Sequence, residues 1–132
     1  MLNYPTPVYN PRKDYESFLI KELPTKATSS SLNRVQLEGI IFDADIDDKY
    51  NSPNAKGDCT FKLSDASLGS ILIEGKSIDT VAVSAILRSS NITGRTIIVK
   101  GAYVPATEDV NAYIRFHKLS LSSTLFEPES CL

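Results

Sequence analysis

The chain holds no tryptophan, a lone histidine and a lone methionine, and its two cysteines are far apart. Cys59 sits inside an apolar run and Cys131 is next to last. Without framework spacing, no disulfide lattice is expected to hold the fold together. Cys59 reads as a buried thiol and Cys131 as a tail thiol, with a Cys59–Cys131 bond as the alternative. Sparse cysteine fits a reducing compartment, so the expected location is intracellular, and nuclear if the source is eukaryotic. No run nears the ~20 apolar residues that cross a bilayer, so no membrane partner is expected. Met1-Leu-Asn-Tyr-Pro5 has neither the basic start nor the apolar middle of a secretory leader. Asn91-Ile92-Thr93 fits the glycosylation sequon, read here as a chance match in an intracellular chain.

Motifs of catalysis are also missing. There is no Gly-x-Ser-x-Gly and no Gly-x-x-x-x-Gly-Lys. His117 could reach a hydroxyl only at Ser120 or Ser122, with no orienting carboxylate beside them. The chain is therefore not expected to be an enzyme. Asp43-x-Asp45-x-Asp47 starts like a calcium loop, but Asp48 stands where glycine is needed and Asn54 where glutamate is needed. No metal or other cofactor is expected. The net charge of −2 excludes a global basic field, so binding of nucleic acid would require a local patch or a partner subunit.

What is present is a chain of 132 residues, enough for one domain with a core of its own. Residues 1–33 read as an N-terminal arm. Asn10-Pro11 signals a helix start, and Tyr15, Phe18, Leu19 and Leu23 fall on one face at helical spacing. An amphipathic helix is expected from Arg12 to Leu23, ended by Pro24, its apolar face packing on the barrel or on a partner protein. Thr25 to Asn33 reads as a polar linker. Residues 34–123 carry the strands, and residues 124–132 read as a flexible tail.

In the first strand, Val35, Leu37 and Ile41 alternate with Gln36, Glu38 and Ile40, and Gly39 lets the strand coil. Cys59, Phe61 and Leu63 then point inward, as do Ile71 and Ile73. A helix after Asp79 puts Val83, Ile86 and Leu87 on one face. Ile97 and Val99 follow, then Ile114 and Phe116. The inward phase next slips to Leu119 and Leu121, which predicts a bulge near His117-Lys118. Three strands, one helix and two strands is the order of a five-stranded Greek-key barrel, the OB-fold. The expected class is thus all-β with small helical additions: that barrel, a helix between its third and fourth strands, and an N-terminal helix.

Two runs carry a family resemblance. Gly94-Arg-Thr-Ile-Ile-Val-Lys-Gly-Ala-Tyr103 resembles the fourth strand of many OB-fold proteins. Phe61-Lys-Leu-Ser-Asp-Ala-Ser-Leu-Gly-Ser-Ile71 resembles the second hairpin of the replication protein A family. In size and layout the chain is similar to the small subunits of replication protein A or of the telomere-capping CST complex. Bacterial and phage single-strand-binding proteins are similar in kind. The resemblance implies binding of single-stranded DNA in replication, repair or telomere maintenance, or assembly as a subunit of a multi-barrel complex with little binding of its own. The chain departs from strong binders in lacking tryptophan and in carrying the acidic run Asp43 to Asp48.

Binding a single strand needs flat rings for bases and cations for phosphates on one face. Tyr113, Arg115 and His117 alternate outward along the last strand, with Lys62 and Lys100 outward on the second and fourth. Tyr103 and Lys118 lie nearby, and Tyr50 and Lys56 sit in the loop that closes over ligands in this fold. The expected contacts are Lys62, Lys100 and Arg115 to phosphates and Tyr113, Tyr103 and Tyr50 to bases, with Lys56 and Lys118 in support. An ordinary solvated strand face explains the same alternation. RNA remains as possible a ligand as DNA, because nothing in the pattern reads the 2′-hydroxyl.

Overall fold

The computed structural model of the chain describes residues 14–46 and 56–125, with the backbone alone for Ile46, Lys56 and Leu125. Strands dominate it. They are β1 (Glu16–Ser17), β2 (Val35–Ile46), β3 (Lys56–Ser64), β4 (Ser70–Asp79), β5 (Arg95–Val104) and β6 (Tyr113–Leu125). A 3₁₀ turn (Ile20–Glu22) runs into the short helix α1 (Leu23–Lys26), and α2 (Thr80–Thr93) links β4 to β5.

Strict alternation turns one side of each strand inward. Val35, Leu37 and Ile41 of β2, Cys59, Phe61 and Leu63 of β3, Ile71 and Ile73 of β4, and Ile97 and Val99 of β5 are buried together. β6 adds Ile114 and Phe116, and the Phe116 ring lies 6.2 Å from that of Phe61. β2 is long enough to serve two neighbours. Its first half, Val35–Gly39, pairs antiparallel with β5, and its second half, Ile40–Ile46, pairs antiparallel with β3. Gly39 stands at the changeover, where a Cβ would run into the Ser64 carbonyl. β3 pairs with β4, β4 runs parallel to β6, and β6 returns antiparallel to β5. The sheet thereby curls into a partly closed ring, β2-β3-β4-β6-β5, with β1 beside β2 as a sixth strand. Its thinnest seam is β4–β6, where only Leu72 to Glu74 find partners. In β6 the expected bulge is present. Lys100 faces Lys118 while Gly101 faces Phe116, so His117 is the extra residue.

Each end of the ring is stopped. α2 lies at the Asp79 end and touches β2 through β6, inserting Val83 and Leu87. Asp79 caps it by accepting from the Val81 and Ala82 amides, both at 3.1 Å, and Gly94 ends it at φ 74°. The opposite end is filled by the N-terminal segment. Phe18, Ile20 and Leu23 are buried there. The Ile20 amide donates to Asp65 Oδ2 at 2.7 Å, and Asp65 Oδ1 takes the Ser67 amide at 3.0 Å. Asp65 is 1% exposed, so these bonds give a buried carboxylate the partners it needs.

Two expectations for the N-terminal region are corrected. The helix from Arg12 to Leu23 does not form over its described part. Glu16 and Ser17 are a strand parallel to Val35 and Gln36, and Pro24 lies in the first turn of α1 instead of ending a helix. The helical spacing of Tyr15, Phe18, Leu19 and Leu23 was coincidental. Phe18 and Leu23 enter the core, Leu19 is exposed, and Tyr15 lies half-buried elsewhere. The stretch Thr25 to Asn33 is no free linker either. Ser31 is buried, Leu32 packs on the core, and the Leu32 carbonyl accepts from the Tyr103 amide at 2.6 Å. Asn10-Pro11 and the tail from residue 126 onward lie outside the described residues.

Candidate nucleic-acid interface

Pairing registers place the outward side chains in rows across the ring. Phe42 of β2 is opposite Lys62 of β3, Lys62 opposite Leu72 of β4, Leu72 opposite Tyr113 of β6, and Tyr113 opposite Val104 of β5. Neighbouring strands lie about 4.8 Å apart, so this row is a continuous band. Phe42 is 40% and Leu72 38% exposed. Tyr113 is half-buried, and the Lys62 side chain is 48% exposed. Phe42 and Leu72 were not singled out in the sequence. Their signal was an apolar residue on the outward phase of a strand, where a polar one is expected.

The next row holds Thr60, Glu74, Arg115 and Ala102. Arg115 is outward as expected, but Glu74 Oε1 accepts from its Nη2 at 3.2 Å. Lys62 Nζ also has a carboxylate within reach, Asp43 at 3.9 Å, beside the bulge in β2. Beyond lies a third row, Gln36, Lys100 and Lys118. Here Tyr15 docks, its hydroxyl 2.9 Å from His117 Nδ1 and its ring under Lys100 Nζ at 5.7 Å. The expected partner-binding tyrosine is thus part of the cationic side of the surface.

Tyr103 is corrected as a stacking platform. It is 6% exposed and faces the core, because its place in β5 shares the inward phase of Ile97 and Val99. Burial pushes its phenol pKa up. Tyr50 lies outside the described residues, as do Asp47, Asp48, Asn54 and the side chain of Lys56. Cys59 is a free thiol within the core, its pKa pushed up to about 11 by burial first and by Asp58 second. Among the described residues no cluster of histidine, cysteine and carboxylate side chains could hold a metal ion. No helix among them is long and apolar enough to cross a membrane.

A cleft of about 380 Å³ adjoins the first row. Lys62 and Leu72 belong to both, and Tyr103, Ser70, Asn111 and Leu23 complete much of its wall. Band, cleft and lysines together offer an aromatic-aliphatic strip, a hollow beside its middle and positive charge alongside. Comparison with known proteins returned no matching family model, no matching curated protein and no matching solved structure.

Proposed function

We propose that the chain is an OB-fold barrel that binds single-stranded nucleic acid across β3, β4 and β6, without catalysis. The fold assignment is supported by the ring order β2-β3-β4-β6-β5 closing on β2, with α2 between β4 and β5, the third and fourth ring strands in chain order. The observation that carries the ligand is the registered band Phe42-Lys62-Leu72-Tyr113. Bases stack on Tyr113 and Phe42 and slide over Leu72. Lys62 meets a phosphate, and Lys100 and Lys118 hold the strand where it leaves the band. Replication, repair or telomere maintenance is the setting in which such a protein would act. Fluorescence anisotropy with a labelled single strand at low salt tests the reading. Binding is expected, and Tyr113→Ala should weaken it by about 1–3 kcal/mol, the worth of one stacked base. No anisotropy change at low salt, where the phosphate contribution is largest, would rule out autonomous binding.

A second reading has its own support. Arg115 and Lys62 each have a carboxylate within 4 Å, which lowers their attraction for phosphate. A band of exposed Phe42 and Leu72 among locally neutralised charges suits a protein partner in a multi-barrel assembly. Sedimentation of the isolated chain beside the anisotropy titration separates the two.

A further inference from the structure

Resting on the nucleic-acid reading, we infer that the cleft beside Leu72 holds one unstacked base of the bound strand and reads its hydrogen-bonding edge. Three observations bring the base there. The first is continuity, since Lys62 and Leu72 form both the middle of the band and the rim of the cleft. A strand lying along the band needs to turn only one nucleotide inward to fill it.

The second is size and lining. About 380 Å³ is near the lower limit of small-ligand pockets, roughly 300–1,000 Å³, which suits a base with its sugar better than a secondary-structure element. Ile20, Leu23, Ile71 and Leu72 give apolar surface for the base faces. Lys62 stands at the mouth, where the flanking phosphate would lie.

The third is an unsatisfied group. Tyr103 lines the cleft at 6% exposure, and its hydroxyl makes no hydrogen bond among the described residues. The neighbouring Asn111 amide and Ser70 hydroxyl, both on exposed residues, also line the cleft. A phenol donates and a carboxamide both donates and accepts, which matches a base carbonyl next to a ring or exocyclic nitrogen. Tyr103, displaced from the stacking surface by its inward phase, thereby becomes a reader of base identity.

The test is a set of anisotropy titrations with homopolymers dT, dC and dA, and with a dT strand carrying one abasic site. Tyr103→Phe keeps the ring and removes the hydroxyl. It should lower affinity for the preferred homopolymer about fivefold and narrow the spread among the three, with an unchanged melting temperature showing an intact fold. Asn111→Ala should narrow the spread further, while Lys62→Ala should weaken all three alike. Should Tyr103→Phe and Asn111→Ala keep the wild-type spread while Tyr113→Ala and Lys62→Ala weaken binding, the cleft inference falls and the band reading stands. If no strand binds at low salt and the isolated chain self-associates in light scattering, the cleft belongs to a second copy and both fall.

Discussion

Glu38 lies on the outer face of β2, and one of its oxygens ties β2 to β5 and β6. Oε2 accepts from Ser122 Oγ at 2.6 Å and from Thr96 Oγ1 at 2.8 Å. Those bonds, Ser122 first, hold the carboxyl pKa below its ordinary value against the opposing effect of partial burial. A lowered folded value means that the unfolded chain takes up the proton first. The stabilisation is therefore complete above the ordinary carboxylate value and is lost as pH falls through the folded one. Glu38→Gln should cost about 1 kcal/mol near neutral pH and remove that acid-side decline, checked by urea midpoints across the acidic range. Gly101 is under a different constraint. A Cβ there would sit 2.7 Å from the Phe116 Cα and closer still to the Arg115 carbonyl. Gly101→Ala should destabilise by about 1–3 kcal/mol, because backbone, not a mobile side chain, stands in the way. The guanidinium of Arg115 offers a gain instead. Glu74→Gln should release it and tighten single-strand binding severalfold at low salt, measured by anisotropy.

The strands were largely legible as elements because a buried face imposes a period of two that nothing else in the chain imitates. Leu37, Phe61, Ile73 and Val99 all took the inward places their spacing predicted. The slip from Phe116 to Leu119 was likewise visible as a break in phase. The helix after Asp79 was legible from Val83 and Leu87 falling on one face, both of which are buried. The N-terminal segment was not legible, since Phe18, Ile20 and Leu23 are drawn into the barrel end by tertiary contacts that outweigh local helical spacing. The exposed band was half legible. Lys62 and Tyr113 stood out by residue type, whereas their place in one row depends on β4 running parallel to β6, a pairing that no local pattern encodes. With three large apolar side chains of the arm inside the core, removing residues 1–24 should do more than abolish an interaction. Thermal melting of the shortened chain should show a loss of several kcal/mol or no cooperative transition, and Leu23→Ala alone should cost about 2–5 kcal/mol.

At the scale of the molecule, charge is distributed locally. The formal net charge is −2, yet Lys100 and Lys118 stand side by side across β5 and β6. If phosphates meet only these two and Lys62, the slope of log K against log salt should be about −2, since each neutralised phosphate of a single strand contributes about −0.7. A titration series at increasing salt checks this, and a slope near zero would favour the assembly reading.

The stopper at the barrel mouth has a consequence for how the polypeptide is born. Phe18, Ile20 and Leu23 leave the ribosome early, but the walls that shelter them include Tyr103 and Ala112, synthesised about eighty residues later. At typical translation speeds of about 5–20 residues per second, that greasy trio stays uncovered for several seconds. The nascent chain would then be a natural client for a holding chaperone, released once the last strand emerges.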